Sequence, residues 1–235
     1  MTSTPPRDST HRRGRRAEEV ANWYFRLNGF LQIPGFVLHS DQPRRPITDA
    51  DVLGVRFPYS QEFLRDIRMT DDRWLSEVTY PGQTLVVIAE VKTSTCNVNG
   101  PWTDRDRGGM EKVVRRIGFA PENMTNEIAK SLYETLHWHN DDYRVQYVAV
   151  GRQTNHELTR HRPNLRQLTW ADVAAFMWER FSSFGEIKGT STQWPVFGKR
   201  FAAAVNQGQI THASEAADFV GLYIQEGRQA LRQTP

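Results

Sequence analysis

Two charged residues follow an apolar run in the stretch LVVIAEVKTS, Leu85 to Ser94. Glu90 and Lys92 stand two positions apart, so in a strand both side chains point to one face while Val91 points to the other. A carboxylate is the hard oxygen ligand that Mg²⁺ prefers. A lysine beside a metal ion can orient a water molecule or stabilise negative charge developing on a phosphate. The pair is therefore a candidate for metal-assisted phosphate chemistry, with a plain ion pair at a strand end as the alternative.

The acid-x-Lys pattern is not specific on its own, because the chain contains a second copy, Glu186-Ile187-Lys188. That copy lies in FGEIKGT, between glycines and without an apolar strand before it, and we interpret it as incidental surface charge. What distinguishes Glu90 is the apolar run that precedes it.

A metal site needs further acids, and the predicted strand ITDADVLGVRF, 47–57, supplies them. Asp49 and Asp51 lie on one face of this strand. Each is also explicable as a cap of the strand or of the turn before it. Asp51 directly precedes the apolar run VLGV, where an unpaired acid is unfavourable, so we favour Asp51 as the ligand and keep Asp49 as the alternative.

The first predicted helix offers two more carboxylates, Glu18 and Glu19. Glu18 shares a helix face with Ala21, which is small enough for close packing on a sheet, whereas Glu19 lines up with Trp23. For either acid alone, solvated helix charge is the simpler interpretation.

The order of elements predicts an α/β core followed by a mainly helical C-terminal part. We expect a disordered basic arm at 1–13, the core at 14–152, and a helical extension at 153–235 packed on that core. The helical patterns fall at 15–28, 61–67, 111–118, 122–139, 169–184, 199–206 and 214–232. The extended patterns fall at 30–38, 47–57, 84–93, 143–152 and 165–170, and a long loop at 94–110 follows the third of them.

Composition excludes several classes of protein. The 235 residues carry a net charge of +3, and no stretch approaches the roughly 18 apolar residues of a membrane span. The N-terminus lacks the apolar region of a secretory signal, and the single cysteine, Cys96, excludes an intramolecular disulfide and Cys-rich zinc modules. We therefore expect a cytoplasmic protein.

Arginine dominates the basic residues, since only five of the 30 are lysines. Arginine suits bidentate phosphate contact, although genomic base composition also raises its frequency. The candidate nucleic-acid contacts are Arg15 and Arg16, which extend the basic arm, Trp102, Arg105 and Arg107 of the long loop, and Arg115 and Arg116 of the next helix. The alternatives are a solvated tail and a structural turn with Trp102 packed inward.

His137 and His139 also suggest a metal site, in the segment HWHNDD. The pattern predicts a helix there, and residues two apart on a helix do not share a face. We therefore interpret this segment as a polar helix end.

Taken in order, these motifs resemble the PD-(D/E)XK nuclease superfamily, the restriction-endonuclease-like fold, and most of all its Holliday junction resolvase-like branch. The register of the first helix in that branch is matched by Glu18, Ala21, Tyr24 and Gly29-Phe30. Asp49-Ala50-Asp51 stands at the family's acidic strand, and Glu90-Val91-Lys92 at its Glu-x-Lys strand. The resemblance favours Glu18 over Glu19 and covers about 15–152.

The resemblance implies a core of the order helix, three strands, helix, strand, and a metal-dependent endonuclease. Asp51, Glu90 and the carbonyl of Val91 would hold one or two Mg²⁺, with Mn²⁺ able to substitute, and Glu18 would reach them directly or through water. Lys92 would position the attacking water for hydrolysis of nucleic acid, with DNA as the expected substrate. The resemblance leaves open a homodimer or a larger protein complex. The alternative function is a nuclease-like module of a defence or repair complex that binds nucleic acid or protein without cutting.

Overall fold

The computed structural model describes residues 7–39, 46–188 and 193–226. The helices are α1 (Arg7–Leu27), α2 (Arg73–Val78), α3 (Gly109–Ile117), α4 (Thr125–Thr135), α5 (His156–His161), α6 (Trp170–Lys188), α7 (Val196–Asn206) and α8 (Ala213–Gln225). The strands are β1 (Leu31–His39), β2 (Pro46–Arg56), β3 (Phe63–Leu64), β4 (Ile67–Arg68), β5 (Thr84–Val91), β6 (His137–His139), β7 (Tyr143–Gly151) and β8 (Arg166–Thr169). None of these helices is both long and apolar enough to cross a bilayer, over the ranges given above.

Six of the strands form one mixed sheet. The order of five of them is β1-β2-β5-β7-β6, and β8 pairs with the C-terminal half of β7, after the part that pairs with β6. β1, β2 and β5 form an antiparallel meander, whereas β5 and β7 are parallel. A parallel pair needs a crossover connection, and α3 and α4 provide it. The structure thus confirms an α/β core with a helical C-terminal part.

The two faces of the sheet are covered by different helices. Leu85, Val87 and Ala89 of β5 pack in one cluster with α1 and the C-terminal helices. Val86 and Ile88 pack in a second cluster with α3 and α4. β5 is therefore buried on both sides, which explains why its sequence is a continuous apolar run rather than an alternating one.

The C-terminal helices share a hydrophobic cluster with α1. The buried indole of Trp23 contacts the rings of Phe181 and Phe197, with centroids 5.2 and 5.5 Å away. Glu19 adds a polar link: its carboxylate accepts from the Phe197 N–H at 3.1 Å and from the Tyr223 hydroxyl at 2.6 Å. Glu19 therefore holds α7 and α8 against α1 and is committed to the fold.

Gly198 lets α7 approach α1 closely, and we expect Gly198→Ala to destabilise the protein by about 1–3 kcal/mol. A Cβ at this position would lie 2.8 Å from Cε2 of the buried Trp23 ring, so the packing must shift. Urea unfolding measures the effect. Gly221→Ala is the matched control, because a Cβ there meets nothing within 4 Å and alanine favours the helix. Equal unfolding free energies for the two variants would contradict the prediction.

Three predictions about local structure were wrong. The helix expected at 61–67 is a two-stranded hairpin, β3 and β4, turned by Arg65 and Asp66 at positive φ. The helix expected at 122–139 ends at Thr135; Leu136 turns left-handed and β6 follows, because 137–139 pairs with β7. Residues 7–13, expected in a disordered arm, are the first turns of α1, while 1–6 lie outside the described residues.

The formation of strand β6 in place of a helix changes the geometry of its two histidines. In a strand His137 and His139 share a face, and their rings lie 5.1 Å apart. Arg144 Nη1 lies 2.8 Å from His137 Nε2, and burial, Arg144 and His139 together lower the pKa of His137 to about 4. A guanidinium against the ring nitrogen makes the histidine pair an unsuitable cation site. The argument that residues two apart on a helix do not share a face was wrong here, because the segment is a strand.

Candidate active site

The candidate site begins where the pairing of β2 with β5 ends. Val52 opposite Ala89 is the last pair of the ladder. One residue further, Asp51 replaces the ladder carbonyl: its Oδ2 accepts from the Val91 backbone N–H at 2.6 Å. This contact places the carboxylate of Asp51 beside the end of β5, next to Glu90.

Glu90 is buried at the end of β5, with only 1% of its surface exposed. Its Oε1 accepts from Lys92 Nζ and from Asn99 Nδ2. Its Oε2 accepts from the Tyr147 hydroxyl at 3.3 Å. Lys92, with its side chain 27% exposed, also donates to Asn99 Oδ1 at 2.9 Å. Asp51, Glu90 and Lys92 are thus brought together at one end of the sheet.

The surroundings of Glu90 disfavour its ionised form. Burial first, and then the charge of Asp51, raise the pKa of Glu90 to about 7, although Lys92 and the Tyr147 hydrogen bond lower it. Burial, followed by the charge of Glu90, raises the pKa of Tyr147 well above its usual value, so its hydroxyl stays a donor. Glu90 therefore carries its negative charge unfavourably, buried beside Asp51 and only partly compensated by Lys92.

The residues present fit a divalent cation. Asp51 and Glu90 are hard oxygen donors from neighbouring strands, and a bound cation would favour the ionised form of Glu90, which burial and Asp51 disfavour. Over the described ranges, no three or more His, Cys, Asp or Glu side chains gather as a metal site, so water or phosphate oxygens would complete the coordination. The side chain of the alternative ligand, Asp49, lies outside the described part of the structure.

Glu18 is half-buried on α1. α1 packs on the sheet face that carries Ala89, whereas Glu90 lies on the face towards α3 and α4. A role for Glu18 therefore requires its side chain to reach past the end of β5. Glu19 is committed to α7 and α8, and the role of Glu18 stays a prediction.

Two residues of the site were missed from the sequence. Asn99 lies in the predicted long loop 94–110, in which only the arginines and Trp102 were predicted to be functional. Tyr147 lies on β7 opposite Ile88, so it is diagonal to Glu90 on the same sheet face. The sequence pattern of β7 alone does not predict that Tyr147 lies beside Glu90, because the register between β5 and β7 determines that position.

Two of the predicted nucleic-acid contacts were wrong. Trp102 is fully buried and packs edge-on against Tyr147, with ring centroids 5.9 Å apart, so it does not present a face to a base. Arg16 donates to the carbonyl of Tyr223 at 2.9 Å and to that of Glu226, and its guanidinium lies 5.0 Å from the Tyr223 ring. Arg16 therefore holds the end of α8 and is not part of an extended arm that contacts phosphate.

The other predicted bases lie at the surface, mostly in contacts with acids. Arg105, Arg107 and Arg115 pair with Glu134, Asp104 and Glu122, at 2.7, 3.0 and 2.7 Å. Arg116 lies 5.0 Å over the Phe36 ring, and Arg15 is exposed on α1. Exposed pairs of this kind are weak, so a phosphate can compete for these guanidiniums.

The second acid-x-Lys copy differs from the first in the way its surroundings predicted. Glu186 and Lys188 lie on α6, where residues two apart do not share a face. Glu186 is exposed, as expected for surface charge. Lys188 does not match this expectation, because its side chain is only 9% exposed and pairs with Glu62. The pattern joins its own two charges only on β5.

Comparison of the chain with protein-family models found no match. Comparisons with curated proteins and with solved structures found none either.

Proposed function

We propose that this protein is a metal-dependent nuclease of the PD-(D/E)XK type that hydrolyses phosphodiester bonds, with DNA as the expected substrate. The observation that carries the proposal is the meeting of Asp51, Glu90 and Lys92 at one end of the sheet. Two carboxylates from adjacent strands beside an ammonium are the groups that metal-assisted phosphate hydrolysis uses.

The order of the core elements supports the proposed restriction-endonuclease-like fold. α1 precedes the antiparallel meander of β1, β2 and β5, and α3 and α4 then lead to β7, parallel to β5. The hairpin β3–β4 and α2 are inserted between the second and third strands of that order. The order helix, three strands, helix, strand is the one that the resemblance implies.

Each residue of the site has a chemical part in this proposal. Asp51, Glu90 and the carbonyl of Val91 would hold Mg²⁺, or Mn²⁺ in its place, and Glu18 would join them, directly or through water, once its side chain reaches past the end of β5. The bound ion would supply a polarised water and neutralise charge on the phosphate. Lys92, partly exposed at the mouth of the site, orients the attacking water and stabilises the negative charge of the transition state. Tyr147 holds Glu90 from the buried side.

Asp51→Asn tests this proposal, and we expect it to reduce cleavage by at least about 10²-fold. The amide oxygen can still accept from the Val91 N–H, so the strand end is kept while the charge is lost. Cleavage of single- and double-stranded DNA and RNA is measured with Mg²⁺ or Mn²⁺, and with EDTA. Asp66→Asn, the same change in an exposed hairpin turn, is the control and should cut like the wild type.

A binding module without activity is the second candidate, favoured by one observation. Lys92 and Asn99 both donate to Glu90 Oε1, so the protein's own groups occupy one oxygen that a cation would use. Binding of nucleic acid by the wild type without cutting, across all four substrates and both metals, would support this module and overturn the nuclease.

A further inference from the structure

We propose that Asn99 is a positioning residue of the candidate site, which fixes Lys92 and Glu90 relative to one another. The inference rests on the proposed nuclease function and deepens it. Asn99 touches both charged groups of the acid-x-Lys pair: its Oδ1 accepts from Lys92 Nζ at 2.9 Å, and its Nδ2 donates to Glu90 Oε1.

A primary amide suits this place because one planar group provides both a donor and an acceptor without adding charge. Aspartate in its place would accept from Lys92 but could not donate to Glu90, and it would add a third carboxylate. Alanine would make neither contact. Glutamine keeps both groups on a longer side chain, so it is the conservative variant.

The position of Asn99 is fixed from both sides along the chain. Before it, Cys96 donates its N–H to the Gln153 carbonyl at 2.8 Å, and Thr95 forms a bridge with Gln153. This segment crosses Gly151 so closely that a Cβ there would lie 2.7 Å from backbone atoms. After it, Trp102 is buried against Tyr147, the same tyrosine that donates to Glu90. The segment is therefore anchored on β7, beside the carboxylate that Asn99 contacts.

The contacts also distinguish the two oxygens of Glu90. Oε1 accepts from both Lys92 and Asn99, which uses both of its lone pairs. Oε2 accepts from the Tyr147 hydroxyl at 3.3 Å, which leaves one lone pair of that oxygen outside the contacts described for the site. Lys92 and Asn99 therefore hold Oε1 from the partly exposed side, and Tyr147 holds Oε2 from the buried side. By sharing Lys92 with Glu90, Asn99 also keeps the ammonium from folding entirely onto the carboxylate.

The test compares Asn99→Ala, Asn99→Asp and Asn99→Gln in the full chain. We expect Asn99→Ala to lower kcat by about 10–100-fold with KM within about threefold, because orientation and not substrate binding is lost. Asn99→Gln should regain part of this loss. Asn97→Ala is the matched control: Asn97 is exposed in the same segment, its Oδ1 accepts from the neighbouring Val98 N–H at 2.9 Å, and kcat should not change.

Binding of Mn²⁺ without substrate, measured by electron paramagnetic resonance, gives a readout that does not depend on cleavage. Asn99→Ala should bind Mn²⁺ within about threefold of the wild type. Asn99→Asp should bind it about tenfold more tightly, because a third carboxylate is added, while kcat stays low. A merely structural role would not make affinity and rate move in opposite directions.

The outcomes separate this inference from the proposed function. If the wild type cuts and Asn99→Ala cuts equally well, the positioning role is overturned and the nuclease stands. A more than tenfold loss of Mn²⁺ affinity in Asn99→Ala, or full activity in Asn99→Asp, also overturns it. If the wild type cuts no nucleic acid with either metal, the proposed nuclease function is overturned, and the proposed role of Asn99 in that reaction is overturned as well.

Discussion

Glu90→Gln is expected to abolish metal-dependent cleavage while making the metal-free protein more stable above neutral pH. Glutamine keeps an oxygen for Lys92 and Asn99 but lacks the negative charge that a cation needs. Cleavage should fall by at least about 10²-fold. The gain in stability follows because burial and the charge of Asp51 disfavour ionised Glu90, whereas glutamine carries no charge.

The sign of the pH dependence follows from the direction of the pKa shift. Burial and Asp51 raise the pKa of Glu90 from 4.5 to about 7, against the opposing effects of Lys92 and the Tyr147 hydrogen bond. A group whose pKa is raised on folding contributes stability that is present below its unfolded pKa and is lost as pH rises through its folded pKa. The wild type therefore loses stability between about pH 4.5 and pH 7, by up to about 3 kcal/mol.

Glutamine does not titrate, so the variant escapes this loss. The difference in unfolding free energy, variant minus wild type, should increase between about pH 4.5 and pH 7 and then level off. Urea unfolding without metal at about pH 5 and pH 8 measures it. Adding Mg²⁺ at the higher pH should stabilise the wild type and not Glu90→Gln. Glu186→Gln, the same change at the exposed acid of the second copy, is the control; a difference that stays constant with pH at Glu90 would refute the prediction.

The parts of this site that could be predicted from sequence are those encoded in local periodicity. The run LVVIA indicates a strand buried on both faces, and the period of two then places Glu90 and Lys92 on one side of it. Asp51 is marked in the same way, as the acid that enters the apolar run VLGV. The structure joins all three residues through β5 and its neighbour β2.

The parts that were missed depend on contacts between distant segments. Asn99 reaches the site only because its loop pairs with the chain just beyond β7, and the loop sequence has no period from which to infer this. Trp102 looked available for stacking in a polar, Pro-containing loop, but the same anchoring buries it. At His137 the helical pattern continues from α4, yet pairing with β7 overrides it.

Lys92→Met is expected to lower cleavage by about 10²–10⁴-fold and to destabilise the protein increasingly as pH rises. Methionine keeps an unbranched apolar stem but removes the ammonium that donates to Glu90 and Asn99. Because Lys92 lowers the pKa of Glu90, its removal raises that pKa above about 7. Near pH 5 Glu90 is already protonated, so the variant should unfold there much like the wild type.

At higher pH the loss should be larger, because a buried carboxylate is left without its cation. Breaking a buried pair in this way costs about 3–5 kcal/mol, and uptake of a proton by Glu90 limits the loss near neutral pH. Lys188→Met is the matched control. Lys188 is also covered and ion-paired, but its partner Glu62 is 43% exposed and water can take over the lost contact. The control should cut like the wild type and lose less stability than Lys92→Met at about pH 8.

The double variant Glu90→Gln with Lys92→Met separates the two roles of the lysine. If Lys92 acts on stability only by compensating Glu90, the neutral glutamine should remove most of the pH-dependent loss, and the two changes should not add. Cleavage should stay low, because neither the ligand charge nor the ammonium at the phosphate is restored. Recovery of both stability and cleavage in the double variant would show that Lys92 serves only as a counter-ion, and would remove it from the proposed reaction.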